Sequence, residues 1–249
     1  MRISGSAYNN GVEFSSDNYQ VKYTMNRQGR YKITYRKLIE VEGIRAFLMR
    51  VPLLKGMYAL FSDKPVFILT AIVLIANDVL GSKLSSNTSL ATRYILLTSV
   101  FLVGFACVFF VFKKILYKAK NTWSYHGAEH KTVYAHEHGI ELTPEKVREC
   151  PRIASRCGTN LVVFVVFFFV ILCFITDYMS IRYIGAFVLG YELFDLENGD
   201  KYPVITVFFR FGQWCQQKLF TREPTDKQII ASIETLKKLI DLESQDPLQ

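Results

Sequence analysis

All four histidines of the chain, His126, His130, His136 and His138, fall within thirteen residues, beside Glu129 and Glu137. On an α-helix His126 and His130 stand one turn apart, so both imidazoles project from one face about 6 Å apart along the axis, the spacing of two ligands to one metal ion. With Glu129 they form His-x-x-Glu-His, the inverse of the zinc-protease order, in which the intervening carboxylate is the general base. The chemistry this suits is hydrolysis beside a divalent cation, zinc being the expected metal, with Glu129 activating water.

Glu137 shares nearly the same helical face but lies seven residues beyond His130, roughly 10 Å along the axis, which suits a supporting group or an arginine's partner better than a ligand. His136 and His138 point to opposite flanks just before Gly139, where a helix is expected to stop, and are the weaker candidates. A third ligand must come from elsewhere in the chain. Glu192 is one candidate, because a carboxylate inside an apolar run is costly and calls for a function. Cys157 is the other, since a thiolate binds zinc and could equally close a structural site. Against these stand plainer readings: Glu192 paired with Arg156 or Lys131, and Cys157 packed beside Gly158 at a tight entry to the span that follows.

These residues must be positioned by elements that the sequence assigns mostly to a membrane. Half of the residues are apolar and 14% aromatic, gathered into blocks rather than spread at a helical or strand period. The candidate spans are four: 66–80, 94–112, 161–175 and 183–196. Against the roughly 20 residues needed to cross a bilayer upright, only 94–112 is full length, and the others must borrow flanking residues or thin the membrane.

The net charge of +8 does not form the basic stripe of a nucleic-acid binder. Its residues flank the apolar blocks, as topology and lipid-headgroup signals do. Lys and Arg number eleven in 1–65, nine in 113–160 and seven in 197–249, against two in 81–93 and one in 176–182. That count predicts a multi-pass cell-membrane protein with both termini and the histidine segment in the cytosol. The five cysteines make no disulfide framework, and residues 1–11 lack the apolar core of a signal peptide.

The expected organisation is mainly α. A small β-rich cytosolic cap occupies 1–37, with a hairpin of 21–25 against 31–35. An amphipathic interfacial helix spans 38–64, membrane helices span 65–198 with a cytosolic His-rich loop at 113–160, and a cytosolic helical segment spans 199–249. Thr143-Pro144-Glu145 predicts a short helix ending near Pro151. Thr225-Asp226-Lys227-Gln228 predicts a capped helix with Ile229, Ile233, Leu236 and Ile240 as its apolar stripe.

Five motifs taken in order, Tyr125 to Lys131, Leu142 to Arg148, Arg156 to Thr159, Tyr191-Glu192, and Arg222-Glu223-Pro224 with Gln228, resemble the YqhQ family of bacterial membrane proteins. The resemblance covers about residues 40–240. It implies a metal-dependent membrane enzyme without a settled substrate, and its motif positions fall on His126, Glu129, His130, Glu137, Cys157 and Glu192. Two departures stand out. The family's Gly-Gly-Gln-Ala-x-x-Glu-Gly-Val-Met-Met-Arg is matched by Ser4 to Ser15, with Ser6 and Asn10 in place of the Gln and Glu. A histidine common before the Arg-Cys-Gly-Thr motif is here Ala154.

Together these residues describe a membrane protein whose cytosol-facing cation is held by His126 and His130, completed by Glu192 or Cys157, with Glu129 as base and Glu137, Lys131 and Arg156 in support. Membrane lipids are the expected partners. The rival is a non-enzymatic scaffold of a translocation or envelope complex, in which the same cluster is structural. A transporter relay through Glu192 finds no inverted repeat to support it.

Overall fold

The computed structural model describes residues 3–26, 28–38, 43–62, 67–68, 70–71, 120–196 and 202–245. The chain divides into two units, one of Met1–Glu42, Ala119–Val163 and Glu197–Gln249, the other of Gly43–Lys118 and Phe164–Leu196. The N-terminal cap, the histidine segment and the C-terminal helix, expected as successive regions, therefore fold together as one body.

The first unit is built on a four-stranded antiparallel meander of β1 (Ser4–Tyr8), β2 (Gly11–Ser15), β3 (Tyr19–Met25) and β4 (Tyr31–Lys37). The expected hairpin is β3 with β4, in register Val21↔Tyr35 and Tyr23↔Ile33. A second hairpin, β1 with β2, lies beyond that expectation. Period-two alternation puts Val12, Phe14, Val21 and Tyr23 on one buried face. The opposite face carries Glu13 and Lys22, which are paired at 3.4 Å.

Helices α3 (Lys120–Glu137) and α8 (Asp226–Gln245) cover the apolar face, with Tyr125, Val133, Leu236, Leu239 and Leu242 completing the core. α8 begins with half of a capping box, the Gln228 Oε1 accepting from the Thr225 N–H and hydroxyl at 2.9 and 3.0 Å. The short α4 (Pro144–Glu149) starts where Thr143-Pro144 predicts, and its Val147 packs with Ile229, Ile233 and Ala135. α3 ends in a Schellman turn: Gly139 has φ +65°, its N–H reaches the His136 carbonyl, and the Ile140 N–H reaches that of Ala135.

The unit also holds α7 (Pro203–Cys215), continued by a π-helical turn at Gln216–Phe220, and the first turn of α5 (Gly158–Ile175). α5 meets the expected span at 161–175. It is eighteen residues without a charged side chain, and 11% of it is buried, which separates it from the core helix of a soluble protein. Among the described residues it alone is long and apolar enough to cross a membrane.

The second unit holds α1 (Ile44–Arg50), α2 (Leu54–Ser62), the remainder of α5 from Phe164, and α6 (Met179–Phe194). The single amphipathic helix expected over 38–64 is two helices. Pro52 holds Val51 in an extended conformation, and Leu53 takes φ +66°. α6 corresponds to the fourth expected span but has sixteen residues, short of a crossing. It packs on α5 through Gly185 and Gly190, where a Cβ would meet Leu172 and the Val165 backbone. The expected spans at 66–80 and 94–112 lie almost wholly outside the described residues.

Candidate metal centre

α3 is enclosed on nearly all sides although it is polar: Glu129, His130, Lys131 and Thr132 are all buried. A helix buried all round is normally apolar, so each of these groups needs a partner. Thr132 bonds back to the Ala128 carbonyl. Lys131 donates to the Arg148 carbonyl at 2.5 Å and pairs with Glu223 at 2.7 Å, which Arg152 also approaches at 3.4 Å.

The two imidazoles are each fixed by a backbone carbonyl distant in sequence. His126 Nδ1 lies 3.0 Å from the Phe220 oxygen and His130 Nδ1 lies 3.1 Å from that of Arg152. A carbonyl can only accept, so Nδ1 carries the proton and Nε2 is left as a lone pair, the orientation device of metal-binding histidines. Both Nε2 atoms turn toward Glu129 Oε2, at 3.7 Å each. Cys157 Sγ comes to 3.6 Å of His126 Nε2. The three ligand atoms of His126, His130 and Cys157 lie within 4.8 Å of one another.

These donors fit a borderline-soft divalent cation. Zinc bonds of about 2.0–2.3 Å put tetrahedral ligand atoms about 3.3–3.8 Å apart, and the Cys157–His126 distance already falls there. The imidazoles offer no proton competition at neutral pH. Burial lowers both, pushing His130, with His126 beside it, down to about 3, while the carbonyl partners act weakly in the other direction. Burial also pushes the Cys157 thiol up, against hydrogen bonds to Thr159, so a cation would have to displace its proton.

A pocket of about 90 Å³ opens on the cluster, lined by Glu129 and Glu137, by Ala154, Arg156 and Cys157, and by Ile3, Ser4 and Gly5. The start of β1 is thus one wall of the site. Gly5 sits against Glu129 so closely that a Cβ there would fall on the carboxylate. Ala154, where the resembling family has a histidine, faces the same pocket. Sequence reasoning missed the Phe220 and Arg152 carbonyls and the Gly5 wall. The π-helical turn that presents Phe220 is the kind of local irregularity that accompanies functional sites, but nothing in the sequence announces it.

Glu192 is placed in the other unit. Its carboxylate accepts from the Leu53 N–H at 2.8 Å and pairs with Lys55 at 3.3 Å, which Asp195 also holds at 3.2 Å. It thereby satisfies the first turn of α2. Its partner is Lys55, and that of Lys131 is Glu223. His138 stacks on Tyr134 instead of joining the cluster. We expect Glu192→Ala to weaken the α2 start by about 1–2 kcal/mol while the purified protein keeps its full cation content. A drop in that content would put Glu192 back among the ligands.

Burial and the neighbouring Glu137 carboxylate push Glu129 up to about 8 from its ordinary 4.5. Between those values the folded protein keeps a proton that the unfolded chain has lost, so stability falls as pH rises, by about 1.4 kcal/mol per unit, and levels off above the folded value. Glu129→Gln cannot ionise. Melting curves of the cation-free wild type and variant should therefore diverge across this window, with the wild type losing ground. Parallel curves would mean that Glu129 is already ionised at the low end.

Residues 27–242 match the family described as "Protein of unknown function (DUF1385)". The uncharacterized protein YqhQ of Bacillus subtilis (strain 168) is 31% identical over 166 residues, covering 63% of this chain and 52% of that protein. The chain thus spans about half the length of this curated relative. The resemblance carried by the five motifs is borne out. No solved structure matches.

Proposed function

We propose a divalent-cation site as the functional centre of this chain, which belongs to the DUF1385 family, a family of unknown function. The observation that carries the proposal is the convergence of two Nε2 lone pairs and one thiol, each imidazole locked by a backbone carbonyl, on the wall of a pocket. His126, His130 and Cys157 would hold the cation, and zinc suits the donor set best. Three protein ligands beside a pocket is the pattern of a catalytic rather than a closed structural centre.

A cation there would supply Lewis-acid polarisation of a carbonyl or phosphoryl group. The chain's own part is proton handling and positioning. Glu129 holds a proton at its carboxyl while the site carries no added positive charge, and loses it once one arrives, because an opposite charge favours the ionised form. It then stands between the imidazoles as a base for water entering past Ser4 and Gly5. The exposed Arg156 at the rim can meet an anionic substrate. Hydrolysis of a membrane-associated substrate by a multi-pass protein with cytosolic termini is the finer reading, supported by α5 and by the distribution of Lys and Arg.

One observation favours a structural alternative. The cluster and its carbonyls tie α3 to the 152–157 loop and to Phe220, so the same ion could act as a staple for a scaffold. Elemental analysis of the purified protein tests the shared premise: near one equivalent of metal supports it, and none overturns it. Chelation then separates the readings. A catalytic centre loses its ion with little change in melting temperature, whereas a staple loses its ion and its fold together.

A further inference from the structure

α7 exposes an apolar stripe that no part of the cation site uses. Val204 (76% exposed), Val207, Phe211 and Trp214 (53%) succeed one another at spacings of three and four, and Leu219 extends the stripe into the π-helical turn. The opposite side, Phe209, Gly212 and Cys215, is buried in the unit. A contiguous exposed apolar face of this kind marks an interaction surface.

Two features identify its occupant. Gly212 packs against Asn160 in the first turn of α5, so closely that a Cβ would meet the Asn160 side chain. Gln216 and Asn160 also share the Ala154 carbonyl, at 3.0 and 3.2 Å. α7 is therefore locked beside the point where the membrane-length helix begins. In addition, the segment from Tyr202 to Arg222 contains no acidic residue, while Arg210, Lys218 and Arg222 are all exposed. Aromatic rings with cations about an apolar stripe are the composition of a helix lying in the headgroup region of an anionic bilayer.

The geometry points to α7 as an interfacial anchor that lays Val204, Val207, Phe211 and Trp214 into the acyl boundary of an anionic phospholipid surface. It stands apart from the cation site and holds whether or not a cation binds. Trp123 and Trp214 are the tryptophans of the chain, which makes the contact readable. The full-length Trp123→Phe variant is reconstituted in phosphatidylglycerol–phosphatidylcholine vesicles whose acyl chains are brominated either near the carbonyls or near the terminal methyl. Trp214 should lose most of its emission to the shallow bromines and less to the deep ones. Should the Trp123→Phe variant fold poorly, the wild type minus Trp214→Phe gives the same quantity. Absence of quenching would mean that protein covers the stripe, and stronger quenching by the deep bromines would mean that the helix lies within the bilayer; either result overturns the proposal.

Discussion

Replacing His130 by alanine should strip the protein of its cation, lowering affinity by well over a hundredfold. Loss of a residue that merely orients a ligand costs about 10–100-fold, and His130 is one of the three residues whose ligand atoms would hold the proposed cation. His130 is 1% exposed, so water has little access to replace the missing nitrogen. The same substitution leaves the Arg152 carbonyl without its partner, at about 1–3 kcal/mol, so a lower melting temperature alone would not identify a ligand. The decisive readout is metal per chain, compared with a His136→Ala/His138→Ala variant of the same helix. That control should keep its metal, because His138 is occupied by Tyr134 and His136 is not in the cluster. Equal metal in both variants would remove the site from this protein.

The second large effect is expected at Gly127. On helix propensity alone, Gly127→Ala should stabilise α3 by about 1 kcal/mol. The tertiary structure reverses the sign, because a Cβ at this position falls well inside contact distance of the Arg222 carbonyl oxygen. That segment has little room to retreat: the Arg222 N–H bonds the Trp123 carbonyl, and Glu223 is held by Lys131 and Arg152. Overpacking against a tethered backbone costs about 3 kcal/mol at the upper end, leaving a net loss of about 2 kcal/mol. Because Phe220, two residues upstream, orients His126, cation affinity should fall as well. Gly158→Ala is the control, since nothing lies near its Cβ position. Identical melting of the two variants would mean that the 220–223 segment does not dock on α3.

The carbonyl of Phe220 and the backbone of Gly5 have no side-chain signature, which is why neither could be read from the sequence. Any residue presents the same oxygen, and only the path of the chain brings Phe220 to a histidine 94 positions away. Glu192 illustrates the complementary difficulty. Its cost inside an apolar run is visible in sequence, but the choice among Lys55, Lys131, Arg156 and a metal is decided by which cation the fold delivers. The apolar periodicity of 38–64 continues across Pro52, but the backbone does not, so α1 and α2 are separate helices.

By itself the sequence determined the features that depend on short-range geometry. The one-turn spacing of His126 and His130, the hairpin of β3 with β4, the helix starts after Thr143 and Thr225, and the apolar length of α5 all arise from residues close together in the chain. The tertiary structure alone decided that Cys157 is the third member of the cluster, that β1 walls it, and that Glu129 is buried enough to hold a proton near neutrality. Those outcomes rest on desolvation and on contacts between distant segments, and both exist only once the chain has closed on itself.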